Sequence, residues 1–195
     1  LRASGASLVG ERGDGADDRD GRSVTVLDPW RNMIVLAEMP HAGVPDPVVL
    51  QDGSSTIRAE MSSDGAAIVE CFVSAYNSEP WCENWTVDSA IARLGELRHR
   101  ARAASLVCVI DGVVVGAAFI HARTYQDASE IYIDEFFVRP EAQGKGVGKA
   151  LVEAVREYAR NIGADGLTLL TDDDKPAFEF YRAQGFRVGR TQRLM

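Results

Sequence analysis

The chain reads as an α+β domain with helices packed on a mixed, mostly antiparallel sheet. Three observations predict this. From Thr56 onward, strand-like alternation and helix-like apolar stripes follow one another as β-α-α-β-β-β-α-β-α-β. Two apolar runs are joined by Asp111-Gly112, a strong hairpin signal that makes the strands it joins antiparallel. Apolar residues make up 46 % and charged residues 26 %, the balance of a folded globular protein.

Residues 1–22 mix Gly, Ser, Ala, Asp and Arg without periodicity and read as a flexible tail. Residues 23–55 form an N-terminal extension. There Val24 and Val26, then Met33 to Leu36, flank the turn-like Asp28-Pro29-Trp30-Arg31-Asn32, a candidate hairpin. The domain proper is 56–195. In it Ile57, Ala59 and Met61 alternate with polar residues as a half-buried strand. Ser62 or Ser63 caps a helix striped by Ile68, Cys71, Phe72, Ala75 and Tyr76. Thr86 caps a second helix with Ala90, Ile91, Leu94 and Leu97 on one face. After the hairpin, Ile131–Val138 is a strand, and a glycine-rich segment enters a long helix striped by Leu151, Val155, Tyr158, Ala159 and Ile162. Gly163 closes that helix. Leu167–Leu170 is a buried strand, Pro176 opens a last helix that stops at Gly185, and Phe186–Val188 begins a final strand.

Composition removes several classes of function. A net charge of −8 disfavours nucleic-acid binding, which needs a basic face, and is compatible with a cationic substrate. No apolar run approaches the ~20 residues of a membrane span. Cys71, Cys82 and Cys108 have unrelated spacings, and no Cys/His cluster offers a metal site. The expectation is reduced thiols in a cytoplasmic protein, with Cys71 and Cys108 as small core residues.

The informative stretch runs from Val138-Arg139-Pro140 through Gln143-Gly144-Lys145-Gly146-Val147-Gly148-Lys149. A strand end, a glycine loop and a helix N-terminus bring free N–H groups and half a positive dipole charge to one point, suited to a phosphate or pyrophosphate. A Walker loop is excluded, because Gln143 and Ala150 stand where it needs Gly and Ser or Thr. A dinucleotide fingerprint is excluded too, because Lys149 replaces its last glycine. The plain structural alternative is a solvated strand–helix turn.

Read as Q/R-x-x-G-x-G/A, the segment resembles the pyrophosphate loop of the GNAT acetyltransferase superfamily. Phe137-Val138-Arg139-Pro140-Glu141 looks like that family's entry into the loop. Ala177-Phe178-Glu179-Phe180-Tyr181-Arg182-Ala183-Gln184-Gly185-Phe186 is similar to its late A-x-x-F-Y-x-x-x-G-F helix and strand. The resemblance covers roughly the last 70 % of the chain, with two motifs in the right order about 35 residues apart.

The resemblance implies transfer of an acetyl group from acetyl-CoA to a primary amine by direct attack in a ternary complex, without a metal. Gln143, Gly144, Lys145, Gly146, Val147, Gly148 and Lys149 would hold coenzyme A, and the backbone at Phe137 and Val138 the thioester carbonyl. Tyr181 sits where the family often protonates the departing sulfur; the alternative is a core tyrosine. Asp134 and Glu135 interrupt an apolar strand. Since neighbours on a strand face opposite sides, one of them faces the thioester. Glu135 is the favoured base, with Asp134 or a water chain as alternatives, or a salt bridge to Arg139 or Arg123 for either. Glu79, Trp81 and Trp85 lie in the loop where the family contacts acceptors; otherwise the tryptophans staple the helices.

Two departures stand out. Asp174 replaces the family's usual Asn before the last helix; as a coenzyme-binding residue its carboxylate would accept a hydrogen bond from the pantetheine arm but cannot donate one. Ten residues follow Gly185, too few for two closing strands. The sheet edge is therefore short, or completed by a partner chain in a homodimer, or by the N-terminal hairpin. The acceptor stays open between an aminoglycoside, another cationic amine, and a protein or peptide amine. A non-catalytic coenzyme-A sensor is the reading from another class.

Overall fold

A computed structural model describes residues 33–38, 55–125 and 128–188, the first of these segments as backbone. The ten elements expected from Thr56 appear in that order: β2 (Ser55–Ala59), α1 (Gly65–Asn77), α2 (Val87–Arg98), β3 (Ala103–Ile110), β4 (Val113–Tyr125), β5 (Ala128–Val138), α3 (Val147–Asn161), β6 (Gly166–Thr171), α4 (Pro176–Ala183) and β7 (Arg187–Val188). One strand precedes them, β1 (Met33–Glu38). The sheet order is β2-β3-β4-β5-β6-β1-β7, antiparallel except for the β5–β6 pair.

Local chemistry explains most boundaries. Asp111 and Gly112 have φ of 50° and 80°, the left-handed pair of a two-residue hairpin. Thr86 caps α2 by accepting from the Ser89 N–H, while Pro176 opens α4 and Gly163 closes α3 at φ 69°. The start of α1 differs from expectation. A short 3₁₀ turn spans Ser62–Asp64, and the Asp64 carboxylate, rather than either serine, accepts the Met61 N–H. The Arg58 guanidinium, donating to both Asp64 oxygens, together with that N–H, holds this carboxyl below the usual carboxylate range.

The sheet is covered on both faces. On one side α1 and α2 bury Ile68, Phe72, Leu94 and Leu97 against Phe119 and Phe137. On the other, α3 and α4 bury Val152, Val155 and Tyr181 against Ile131, Ile133 and Leu169. A fully buried Phe or Leu contributes about 1.5–3 kcal/mol. Cys71 and Cys108 are core residues, as expected, and Cys82 is exposed. Four residues assigned to apolar faces are at the surface instead: Ala59, Met61, Ile91 (52 % exposed) and Ile162. Each sits at the end or margin of its stripe, where the helix or strand turns away from its neighbour.

The expected flexible tail, residues 1–22, lies outside the described residues, as does the first arm of the candidate hairpin. The second arm is visible as β1, which pairs with β6 (Met33↔Thr171 through Glu38↔Gly166) and with β7. A strand from the N-terminal extension thus stands between the last two strands. Deleting residues 1–22 is expected to leave the melting temperature unchanged. Deleting 1–38 strips β1 and should lower it by about 10 °C or more, measurable by calorimetry.

Candidate active site

The parallel pair that opens the site is short. β5 and β6 match only over Glu130–Ile133 and Gly166–Leu169, and beyond Ile133 the strands part. The parting coincides with a β-bulge. Phe119 opposes Glu135 and Ile120 opposes Ile133, so Asp134 is an extra residue that bends β5. A cleft of about 250 Å³ lies there. Tyr76 and Trp81 form one wall, Ala177 and Tyr181 another, and Asp134, Glu135 and Phe136 come from the bent strand.

The bulge corrects the expectation that the two carboxylates face opposite sides. Phe137 packs with α1, and Glu135, two residues before it, reaches both helices on that side. Its Oε2 accepts from Tyr76 OH at 2.6 Å, and its Oε1 from Arg93 Nε at 2.8 Å. Asp134 turns the same way, paired with Arg100 and with His121 Nδ1, the latter at 2.6 Å. One inserted residue puts both acids on one face. Their side chains are 13 % and 4 % exposed, yet both line the cleft. The partners expected for them, Arg139 and Arg123, instead face Glu70 and Glu130.

Tyr181 is 6 % exposed, in an aromatic nest of Phe136, Phe180 and Phe186 with ring centroids 5.1–5.9 Å away. It is a core residue and a cleft residue at once. Burial, and next the Glu135 charge, push its phenol well above its ordinary value. Tyr76 is raised by the same two causes. Both phenols therefore hold their protons at neutral pH.

Backbone donors can be placed by strand alternation. The Arg139 N–H bonds to Val115 of β4, so two residues back the Phe137 N–H also points to β4. The Val138 and Phe136 N–H groups then point to the side that β6 has left. Of the two backbone positions expected at the carbonyl, Val138 has the free direction and Phe137 does not.

The loop beyond β5 is built for close approach. Gly144 and Gly146 have φ of 70° and 86°, and nothing lies within 4 Å of where a Cβ would be. Gly146 caps α3, whose first-turn N–H groups open onto that space. Gly148 has another purpose: a Cβ there would meet the Phe180 ring at 3.2 Å, so its absence seats α4 against α3. Gln143 donates to the Val138 carbonyl at 3.1 Å, bracing the loop. Val147 is buried as its anchor, while Lys145 and Lys149 are exposed. Bare glycines, free N–H groups and two lysines fit a pyrophosphate. Among the described residues, no group of three or more His, Cys, Asp or Glu side chains is placed to hold a metal.

The α1–α2 loop divides its expected roles. Trp81 lines the cleft, whereas Trp85 packs edge-on against Phe72 at 4.9 Å and Glu79 is exposed. Trp85 acts as the staple. Asp174 is exposed, and Asp172 of the same acidic run lines the cleft. Tyr76 and Arg93 were not singled out from the sequence. They meet Glu135 across 59 and 42 residues, and Tyr76 reads there only as part of an apolar stripe.

An open sheet with a glycine-rich loop at a helix start and a cleft of phenols and carboxylates defines a class of site. The chain belongs to the GNAT family of acetyltransferases, whose family model matches residues 68–186. It is 30 % identical over 156 residues to a mycothiol acetyltransferase of Arthrobacter sp. (strain FB24), spanning 77 % of this chain and 46 %, about half, of that one. It is 33 % identical over 96 residues to aminoglycoside N(6')-acetyltransferase type 1 of Stenotrophomonas maltophilia, 46 % of this chain and 61 % of that one. The fold is shared with an aminoglycoside N-acetyltransferase solved in complex with CoA, at a TM-score of 0.57 and 22 % identity over 72 % of this chain and 91 % of that one. Among the described residues no helix is long and apolar enough to cross a membrane.

Proposed function

We propose that this chain transfers an acetyl group from acetyl-CoA to the primary amine of a small, cationic molecule. The observation that carries the reading is the cleft shared by Glu135 and Tyr181, from which the same strand runs on through Val138 to the glycine loop. Gln143 to Lys149 would hold the pyrophosphate; acetyl-CoA supplies an acetyl group already activated as a thioester.

The chain's own residues manage protons and charge. An amine with a pKa near 10 is mostly protonated at pH 7, a deficit of ~4 kcal/mol. Glu135 is the base, its carboxylate fixed by Arg93 and Tyr76 and turned to the cleft. The Val138 N–H is the donor available to charge developing on the carbonyl oxygen. Tyr181 is the acid for the sulfur, and its raised phenol keeps the proton ready. Among the described residues, Asp134, Glu135 and Asp172 line the cleft and no Lys, Arg or His does, which favours a cationic acceptor.

The test is a thiol-release screen across aminoglycosides, aminosugars, polyamines, amino acids and peptides. Turnover of at least one small cationic amine is expected, above the rate for peptides. Tight coenzyme A binding with no product from any amine would make the chain a sensor instead.

A further inference from the structure

The chain has three lysines against eighteen arginines. Two of them, Lys145 and Lys149, belong to the glycine loop and the first turn of α3. The third, Lys175, is the N-cap residue of α4, in sequence between Asp172 and Ala177, both of which line the cleft. Its Nζ donates to the Pro80 carbonyl at 3.3 Å and lies 6.0 Å from the centroid of the Trp81 ring. Trp81 shares the cleft with Glu135 and Tyr181. Both Lys175 contacts are at the long end of their ranges, so the ammonium is held loosely on a flexible four-carbon stem. Tyr181 follows six residues later on the same helix, about 9 Å of axial rise.

We propose that Lys175 is a self-acetylation site: with acetyl-CoA bound and no external amine present, the enzyme acetylates its own Nζ. The inference rests on the activity proposed above. A tethered amine beside the Trp81 wall of a cleft that activates a thioester has a very high effective concentration. In the step, the Lys175 ammonium loses one proton to Glu135 or to solvent, and Nζ forms a bond to the acetyl carbon. The carbon–sulfur bond breaks, Tyr181 gives its proton to sulfur, and the phenol recovers one from the new amide nitrogen. The products are acetyl-lysine, free coenzyme A and one proton. Acetylation removes the charge that faces Trp81, loosening the tie between the α1–α2 loop and α4.

The experiment needs no known acceptor. The purified chain is incubated with acetyl-CoA alone, and acetylation of the three lysines is followed by peptide mass mapping. Lys175 is expected to be modified at least about 10-fold faster than the same lysine in urea-unfolded chain, at a rate independent of protein concentration. Tyr181→Phe should slow Lys175 and leave the slow background at Lys145 and Lys149 unchanged. Modification of Lys175 no faster than in the unfolded chain, or equally fast in Tyr181→Phe, overturns the inference. Turnover of an external amine without Lys175 modification removes this inference alone. Bound coenzyme A with neither thiol release nor modification removes the proposed activity with it.

Discussion

Gly146→Trp is expected to abolish coenzyme A binding while leaving the protein folded. Gly146 sits at φ 86° as the cap of α3, in a region that a side chain enters at a cost of about 1–2 kcal/mol. Nothing lies within 4 Å of where its Cβ would be, so a side chain can leave the backbone there without an immediate clash. The indole does occupy the volume in front of the first-turn N–H groups, where a pyrophosphate would lie. Those donors, the helix dipole and the approach of Lys145 and Lys149 are lost together. Calorimetric titration should show saturable binding by wild type and no heat from the variant at millimolar ligand. The melting temperature should fall by only a few degrees, as ~1–2 kcal/mol predicts for a domain of this size. If both proteins bind alike, the loop is an ordinary strand–helix turn and the coenzyme lies elsewhere. Gly148→Ala separates the two uses of glycine in this loop. Its methyl group meets the Phe180 ring, so it should lower stability more than binding.

The parts of the site that were legible in the sequence are the ones written locally. Three alternate glycines before an apolar stripe announce a cradle at a helix start, and Ala177 to Phe186 carries Tyr181 within one short motif. Element order was equally legible, because each strand and helix shows its own period and each turn its own chemistry, as at Asp111-Gly112. What could not be read depends on register or on distant contact. Alternation puts Asp134 and Glu135 on opposite faces, and it takes one unpaired residue against Phe119 and Ile120 to bring them together. No residue pattern marks that insertion. Tyr76 and Arg93 look like a stripe aromatic and a surface cation until the sheet carries Glu135 to them. The strand at Met33–Glu38 was visible as an apolar run, but its partners are 128 to 153 positions away. Pairing at that range is set by which sheet edge is vacant.

Tyr181→Phe is expected to lower turnover on the order of 10²-fold with coenzyme A affinity almost unchanged. The substitution keeps the ring, so its packing with Phe136, Phe180 and Phe186 survives. Only the hydroxyl is lost, and burial raises that phenol without any hydrogen bond among the causes. Removing it leaves no protein partner stranded, and stability should change by ~1 kcal/mol or less. The chemical cost falls elsewhere. Without the phenol, sulfur departs as a thiolate into a cleft lined by carboxylates, the least favourable place for a second anion. The deficit should therefore be largest with acetyl-CoA and shrink with an acyl donor whose leaving thiol has a lower pKa, since that thiolate needs a proton less. Because the phenol is raised, its own ionisation should not limit wild-type turnover below about pH 10. An alkaline fall in rate well below that belongs to another group. Steady-state kinetics with two donors, on an acceptor found in the screen, make the comparison. If Phe serves within a few-fold of Tyr for both donors, Tyr181 is a packing residue, and the proton reaches sulfur through water.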